Sequence, residues 1–244
     1  MKKLPPKNAA ELLAAIQGAN AAEFGDVRIR SRGRLPRWEV ESGLYFVTFR
    51  LTDSLPRETL ERIKERARIL LAWQRFGRKL SPREENIVAG YSPRKIEEYL
   101  DAGRGACYMK DRRMAALVAD ALRFWDGRRY RLLAWCIMPN HVHVIFRVLG
   151  EGVLDEVVKS WKSYSARMAN RILGRSGTFW QREYYDHLIR DAGELQRAVD
   201  YVSNNPTKAG LTAWEWVWIG CADVDVPTTA GLETGATPAR HPSS

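Results

Sequence analysis

The fold can be worked out from one stretch of sequence, Trp135-Cys136-Ile137-Met138-Pro139-Asn140-His141-Val142-His143-Val144-Ile145-Phe146. Apolar residues run up to the Pro-Asn pair and away from it, which predicts two short strands joined by a turn. Successive side chains of a strand point to opposite faces of the sheet. His141 and His143 therefore share one face with Ile145 and Arg147, and the alternate residues, all apolar, form a core face.

Two histidines on one face of a strand are close enough to bind a single metal ion. An arbitrary His-x-His is more often two strand histidines without a metal. This chain has only 4 histidines, and two of them, His141 and His143, fall on the same face of an otherwise apolar strand. That distribution favours a metal site.

The composition points to a polyanionic partner. The chain has 244 residues, enough for one large domain with an insertion and tails, and 39 Lys and Arg against 29 Asp and Glu give a net charge of +10. Such a surface favours nucleic acid over an anionic membrane, although a basic surface without a partner is the alternative.

The cysteines and the hydropathy pattern predict a cytoplasmic protein. Cys107, Cys136 and Cys221 are far apart and form no Cys-x-x-Cys pair, so neither a disulfide framework nor a cysteine zinc site is indicated. No apolar run approaches the length of a membrane span, and Met1–Pro6 lacks the apolar core of a signal peptide.

Local patterns predict the order of the elements. Residues 45–51 read as a strand, 58–76 as a helix, 111–127 as a helix that ends at Gly127, and 130–137 and 141–148 as the two central strands. A helix follows at 153–173, a strand near 184–189, and a helix that Asp191 caps and Asn205-Pro206 stops near Asn204. The apolar stretch 214–218 is expected to pack against the sheet.

The same reading divides the chain into regions. Residues 1–35 are predicted to be a basic N-terminal extension with a short helix around Ala10–Ala21, and its basic run is either solvated or contacts phosphates. Residues 36–220 form the main domain, within which residues 56–104 are a helical insertion. Residues 221–244, rich in Thr, Pro, Gly and Ser, are predicted to be disordered.

Two segments combine positive charge with aromatic residues and are candidates for binding DNA. Lys159 and Lys162 lie outside the apolar stripe of the helix at 153–173, where a solvated face is the simpler alternative. The following loop and strand contribute the candidates Arg175, Trp180, Arg182 and Arg190. Interleaved aromatic and basic residues can stack on bases and hold phosphates, whereas an edge strand with ordinary packing is the alternative.

The end of the last helix presents a phenol and a carboxamide together. Tyr201 falls at the edge of the apolar stripe, and Asn205 follows it by one helical turn. A half-buried tyrosine beside a helix-stopping asparagine is the plain alternative. Tyr184 and Tyr185 compete with Tyr201 for a role near the histidines, because consecutive strand residues face opposite ways.

Four motifs, taken in this order, resemble the REP-associated tyrosine transposases, a branch of the HUH single-tyrosine transposases. They are Tyr45-Phe46-Val47-Thr48-Phe49-Arg50, Met138-Pro139-Asn140-His141-Val142-His143, Phe179-Trp180-Gln181 followed by Tyr185-Asp186 and Ile189-Arg190-Asp191, and Tyr201-Val202-Ser203-Asn204-Asn205-Pro206-Thr207-Lys208-Ala209-Gly210-Leu211. The resemblance covers roughly residues 35–220.

This resemblance implies a ferredoxin-like α/β (α+β) domain with a central, mainly antiparallel sheet. It implies that His141 and His143 bind a divalent ion, Mg²⁺ or Mn²⁺, with Asn205 as a third ligand, and that Tyr201 is the nucleophile. It also implies cleavage and rejoining of single-stranded DNA at REP-like hairpins through a 5′-phosphotyrosine, and it adds Lys208 to the candidates for DNA contacts. The expected protein is prokaryotic, associated with the nucleoid, and a monomer or homodimer.

Two other functions stay open at this point. One is a hairpin-binding host protein without catalysis, and the other is a metal-dependent nuclease that uses water and needs no tyrosine. A rolling-circle initiator or relaxase shares the chemistry, but the pattern Asn204-Asn205-Pro206 favours the REP-associated group.

Overall fold

A computed structural model describes residues 28–30, 37–39, 42–76, 80–90, 93–150 and 152–220. Its strands are β1 (Arg28–Arg30), β2 (Arg37–Glu39), β3 (Leu44–Arg50), β4 (Tyr130–Ile137), β5 (His141–Val148), β6 (Tyr185–Leu188) and β7 (Val217–Ile219). Its α-helices are α1 (Arg57–Phe76), α2 (Pro82–Ala89), α3 (Pro93–Asp101), α4 (Arg112–Arg123), α5 (Leu154–Ile172) and α6 (Ala192–Lys208), and a 3₁₀ turn lies at Tyr108–Lys110.

The main sheet has the order β6-β3-β5-β4-β7, and every neighbouring pair is antiparallel. Along the chain, β3, helices, β4, β5, α5 and β6 form a β-α-β-β-α-β unit in which the fourth strand lies beside the first and the third lies between the first and second. This is the ferredoxin-like arrangement, with β7 added beyond β4. The predicted fold class is confirmed.

The two faces of the sheet are covered by different helices. Helices α4 and α5 bury one face, where the apolar residues of β5 pack against Met114 and Trp161. Helix α6 packs on the other face through Leu195, Val199 and Val202. The alternation of β5 places both histidines on the α6 side, so the site is formed between the sheet and α6.

Two helix ends differ from the sequence-based prediction. Helix α4 begins after Asp111, which caps it as expected, but ends at Arg123 rather than at Gly127. The chain turns one helical turn early, with Asp126 accepting a hydrogen bond from the Leu132 backbone nitrogen at 2.8 Å. Helix α6 continues through Pro206 to Lys208 instead of stopping near Asn204. Proline disrupts a helix interior, but here less than one turn follows it, and its ring is buried.

The predicted helical insertion contains α1, α2 and α3, which follow β3 and precede the 3₁₀ turn. Ser81 and Glu84 begin α2 with reciprocal side-chain to backbone hydrogen bonds, which satisfy free amides at the helix start. Part of the basic run forms β1, which pairs antiparallel with β2. The helix expected at Ala10–Ala21 and the tail expected at 221–244 lie outside the described residues.

Cys107 and Cys136 are buried and unpaired, as expected for a chain without a disulfide framework, and Cys221 lies outside the described residues. Within the part of the chain that the structure describes, no helix is both long and apolar enough to cross a membrane.

Candidate active site

The two β5 histidines meet at a buried point between the sheet and α6. His141 and His143 are each 1% exposed, and their Nε2 atoms are 3.0 Å apart. Two nitrogens that each lie about 2.1 Å from one metal ion at roughly a right angle would be about 3.0 Å apart. The pair is therefore spaced as two ligands of one ion.

The outer ring nitrogens of both histidines have polar partners. Asn140 donates through Nδ2 to the Arg104 carbonyl at 2.9 Å, which turns its Oδ1 towards His141. His141 Nδ1 lies 2.7 Å from that oxygen and must carry the proton, because the oxygen can only accept. His143 Nδ1 lies 2.7 Å from the Thr48 hydroxyl. Partners of this kind orient metal-binding imidazoles.

Burial keeps both imidazoles neutral. It lowers the pKa of His141, and the neighbouring His143 and Arg50 lower it further. Burial likewise lowers the pKa of His143 to about 3, with Lys208 contributing. Both side chains are uncharged at neutral pH, and a neutral imidazole is the form that binds a metal.

Helix α6 brings the phenol and the carboxamide to this pair. Asp191 caps the helix by accepting a hydrogen bond from the Glu194 backbone nitrogen at 2.7 Å. The Tyr201 hydroxyl then lies 3.5 Å from His143 Nε2, and its ring packs edge-on against Phe46. Tyr201, which the sequence singled out by its position one turn before Asn205, thus has its hydroxyl oxygen beside a histidine of the pair.

The buried carboxamide of Asn205 is the clearest indication that the site binds a ligand. Its side chain is 1% exposed, and neither amide atom has a hydrogen-bond partner among the described residues. An unpaired buried amide is costly, so an external partner such as a metal ion would satisfy it. Two imidazoles and an amide oxygen suit a divalent ion, although the described residues contain no group of three His, Cys, Asp or Glu that could hold one.

A negatively charged face of α3, which the sequence did not reveal, approaches the same tyrosine. Burial raises the pKa of both Glu97 and Asp101. Asp101 pairs with Lys208 at 3.5 Å, and the Lys208 ammonium lies 5.6 Å from the Tyr201 ring centroid. The pKa of Tyr201 is raised, first by burial and then by the charges of Glu97 and Asp101, while the nearby Asn205 amide opposes the shift. The phenol is protonated in the protein without its substrate.

Arg50 and Thr48 are further site residues that the sequence reading left unassigned. Both lie in β3 on the face of the histidines, where Arg50 pairs with His141 and Thr48 with His143 in the strand register. The Arg50 side chain is 8% exposed, an unusual degree of burial for arginine. The sequence could have identified them if the period-two alternation of β3 had been combined with the pairing of β3 and β5, which places Thr48 and Arg50 opposite the histidines.

The two competing tyrosines are placed differently. Tyr184 donates a hydrogen bond to Asp155 of α5, on the opposite layer. Tyr185 pairs with Thr48 in the register and therefore faces the site side, with its ring centroid 6.3 Å from that of Phe46. Tyr185 is 43% exposed at the sheet edge, whereas the hydroxyl of the half-buried Tyr201 lies 3.5 Å from His143 Nε2.

The seven candidates for DNA contacts lie in several different parts of the structure. Lys162 donates to the Arg182 carbonyl at 2.8 Å, so these two lie together, whereas Lys159 is exposed on α5 in the layer opposite the histidines. Arg175 donates to the Tyr108 hydroxyl at 2.6 Å, beside the strand turn. Arg190 pairs with Glu194 at 2.7 Å.

The last two candidates are Lys208 and Trp180. The Lys208 ammonium lies beside the Tyr201 ring. The prediction that Trp180 contacts DNA does not agree with the structure. Trp180 is 4% exposed, packs against Phe49 with ring centroids 4.8 Å apart, and donates to the Ser165 hydroxyl at 2.9 Å. Its ring offers no free face to a base, because the aromatic segment folds over the core before it reaches the sheet edge. Trp180 is a core residue.

Comparison with known proteins places this site in a family context. Residues 114–205 match the family described as "Transposase IS200 like". A REP-associated tyrosine transposase of Escherichia coli (strain K12) is 29% identical over 83 residues, which cover 34% of this chain and 48% of that protein. A Haemophilus influenzae protein provisionally assigned to the same group is 28% identical over 94 residues, covering 33% of this chain and 52% of that protein.

The chain thus spans roughly half the length of the relatives it matches. Among solved structures, a REP-associated tyrosine transposase bound to a REP hairpin aligns with 77% of this chain and 82% of that chain, at 16% identity and a TM-score of 0.46. The resemblance found in the sequence is confirmed.

Proposed function

Given the IS200-like transposase match over residues 114–205 and the similarity to the REP-associated tyrosine transposases, we propose that this chain cleaves and rejoins single-stranded DNA with Tyr201 as nucleophile. The observation that carries the proposal is the contact of 3.5 Å between the Tyr201 hydroxyl and His143 Nε2, in a buried site where two imidazoles are spaced for one ion.

The metal would be held by Nε2 of His141, Nε2 of His143 and the Asn205 carboxamide. When bound, a divalent ion polarises a phosphate oxygen and offsets charge that develops on the phosphate. Mg²⁺ or Mn²⁺ fits the proposal, since both accept oxygen ligands from DNA and water to complete their shell. The chain's own residues keep the imidazoles neutral and oriented through Thr48 and Asn140.

The reaction proposed for Tyr201 conserves the phosphodiester energy. The phenolic oxygen forms a bond to phosphorus, the bond from phosphorus to the 3′ oxygen breaks, and a 5′-phosphotyrosine and a free 3′-hydroxyl result. The phenol proton must leave, and the buried site disfavours the free phenolate. Attack therefore requires positive charge near the phenol, which the bound ion and the adjacent Lys208 would supply.

Single-stranded DNA is the proposed substrate, because the phosphate must enter a site enclosed by the sheet, α6 and α3. A duplex cannot bend its backbone into such a space without unstacking its bases. The resemblance implies REP-like hairpins as the recognised structure. A cytoplasmic protein associated with the nucleoid, acting as a monomer or homodimer, is consistent with this substrate.

A covalent-adduct assay tests the proposal. Wild type, Tyr201→Phe and the matched control Tyr185→Phe are incubated with hairpin-bearing single-stranded DNA and Mn²⁺, and adducts are separated on a denaturing gel. We expect adducts with wild type and Tyr185→Phe and none with Tyr201→Phe, since only the attacking oxygen is missing. Peptide mass mapping should place the nucleotide on Tyr201.

Other outcomes would identify the alternatives. Cleavage by Tyr201→Phe without any adduct would indicate a nuclease that uses water. Hairpin binding by wild type without cleavage or adduct would indicate a non-catalytic binding protein. An adduct mapped to Tyr184 or Tyr185 would move the nucleophile to the sheet edge.

A further inference from the structure

The helical insertion encloses a cavity that the proposed chemistry does not use. It has a volume of about 700 Å³ and lies between α1, α2 and α3. Its walls combine apolar side chains, among them Ile63 and Ile96, with the arginines Arg62, Arg66 and Arg83 and with one acidic residue, Glu65. The size falls in the range of sites that bind ligands as large as a nucleotide.

The lining offers an aromatic ring for the base of a nucleotide and guanidinium groups for its phosphate. Tyr99 contributes an aromatic ring, and Arg104 lies over that ring at 5.6 Å from its centroid. A planar base can stack on such a surface whatever its identity, and guanidinium groups at the rim can bind phosphates. Arg62 and Arg83 are both exposed, so their charges face the solvent from which a strand would approach.

Helix α3 separates this cavity from the active site and contacts both. Ile96 and Tyr99 line the cavity, whereas Glu97 and Asp101, on the opposite side of the helix, act on Tyr201. The two sites are thus about one helix diameter apart, roughly 10 Å. A strand that leaves the active site can reach the cavity within a few nucleotides.

Arg104 provides a second connection between the cavity and the active site. Its side chain stacks on Tyr99 at the cavity, while its backbone carbonyl accepts a hydrogen bond from Asn140. Asn140 in turn holds the ring of His141. Arg104 therefore contacts one residue of the cavity wall, Tyr99, and also supports the partner of a candidate metal-site histidine.

From this arrangement we propose that the cavity binds a segment of single-stranded DNA next to the cleaved phosphodiester, with a base against Tyr99 and phosphates on Arg62 and Arg83. This rests on the proposed function and adds to it a DNA subsite within the helical insertion. The lining has three arginines against the single carboxylate of Glu65, and this excess of positive charge favours DNA over an apolar peptide segment as the occupant.

The test compares single-stranded oligothymidine with blunt duplex DNA as probes. Arg62→Ala/Arg83→Ala removes two exposed charges at the cavity, and Tyr99→Leu removes the ring. Lys64→Ala/Arg68→Ala is the matched control, because it removes two exposed charges of α1 that do not line the cavity. Both double variants also break one surface ion pair, with Glu58 and Glu61 respectively.

Binding is measured by fluorescence anisotropy over a range of salt concentrations. We expect Arg62→Ala/Arg83→Ala to weaken oligothymidine binding roughly tenfold and to reduce the salt slope by about 1.4, or about 0.7 for each lost phosphate contact. Tyr99→Leu should weaken oligothymidine binding at an unchanged salt slope. Duplex binding should match that of the control variant.

Equal losses for oligothymidine and duplex, or oligothymidine binding equal to the control, would overturn the proposal. The adduct assay with wild type distinguishes its failure from that of the proposed function. If wild type forms the Tyr201 adduct while the cavity variants bind oligothymidine normally, only the subsite is wrong. Absence of both adduct and oligothymidine binding in wild type would overturn both.

Discussion

At the scale of single residues, the hydrogen bonds of His143 explain how the site can change on binding a metal. Its Nε2 lies 3.0 Å from His141 Nε2, whose lone pair is available because Asn140 holds the proton on Nδ1. Without a metal, His143 must donate from Nε2 and accept from the Thr48 hydroxyl. Were a metal bound at Nε2, His143 would carry its proton on Nδ1, and the Thr48 hydroxyl oxygen would accept a hydrogen bond from that nitrogen. Thr48 serves both states because a hydroxyl can donate or accept.

This role of Thr48 leads to a prediction about metal affinity. Thr48→Val keeps the shape of the side chain but removes the hydroxyl that holds His143 Nδ1 at 2.7 Å. We expect Mn²⁺ binding to weaken by roughly ten- to a hundredfold, as is typical for the loss of a partner that orients a metal ligand. Isothermal titration calorimetry measures the affinity directly.

The double variant His141→Ala/His143→Ala is the reference for complete loss. It should show no Mn²⁺ binding and no DNA cleavage, while hairpin affinity is largely retained because phosphate contacts supply it. Wild-type affinity in Thr48→Val would mean that the hydroxyl does not orient the ligand. DNA cleavage at the wild-type rate by the double histidine variant would refute the metal assignment.

At the scale of elements, α6 delivers two functional groups to the site from one rigid helix. Tyr201 and Asn205 are one turn apart, and Leu195, Val199 and Val202 anchor the helix to the sheet. The helix begins at the Asp191 cap, and Glu194 closes its first turn by accepting a hydrogen bond from the Arg190 backbone nitrogen at 2.9 Å. The Asp191 cap was predicted from the sequence, whereas the contact of Glu194 with the Arg190 backbone nitrogen was not.

We expect loss of this cap to affect both the stability of the protein and adduct formation by Tyr201. Asp191→Ala removes the acceptor of the Glu194 amide, which lies 2.7 Å away. We expect the free energy of unfolding to fall by about 1 kcal/mol, measured by urea denaturation. Adduct formation should slow moderately while DNA affinity changes little, because the start of α6 lies more than two turns from Tyr201.

Asp191→Asn is the matched control, since asparagine caps helices about as well as aspartate. It should retain wild-type stability within a few tenths of a kcal/mol. Equal destabilisation by asparagine and alanine would show that the charge of Asp191, and not its cap, supports the helix.

At the scale of the whole molecule, positive side chains gather at the end of the sheet that holds the histidines. Arg50 pairs with His141 in the register, and its carbonyl accepts a hydrogen bond from the Gln181 backbone nitrogen at 2.8 Å. Arg182 follows at once and is joined there by Lys162. If the chain binds DNA as proposed, this end of the sheet would offer the DNA a basic approach to the site.

The salt dependence of DNA binding tests that approach. Lys162→Ala and Arg182→Ala should each weaken hairpin binding and reduce the slope of log affinity against log salt by roughly one unit, the value for one lost phosphate contact. Fluorescence anisotropy at several salt concentrations measures both quantities.

Arg128→Ala is the control from the opposite end of the sheet. Arg128 is exposed just before Tyr130, which begins β4 at the end remote from the histidines. It should leave the salt slope unchanged. If Lys162→Ala and Arg182→Ala behave like Arg128→Ala, those two side chains belong to a solvated surface and DNA enters elsewhere.

The sequence by itself was sufficient for the features that depend on neighbouring residues. Alternation with a period of two placed His141 and His143 on one face, and the helical period placed Tyr201 one turn before Asn205. The same short-range rules located the Asp111 and Asp191 caps. The ferredoxin-like order of strands came from the resemblance that these motifs carried together, and the structure confirms it.

The tertiary structure alone decided what distant segments do to one another. Glu97 and Asp101 reach Tyr201 across about a hundred residues of chain, and no local period encodes that contact. Trp180 carries the same aromatic signal whether it faces a base or the core, and only its packing against Phe49 distinguishes the two. The local rule against proline in helices predicted a stop before Pro206, yet the buried Pro206 lies inside the last turn of α6 and the helix continues to Lys208. Local periodicity determines the direction of a side chain, whereas its neighbours depend on how remote elements bury their apolar faces against each other.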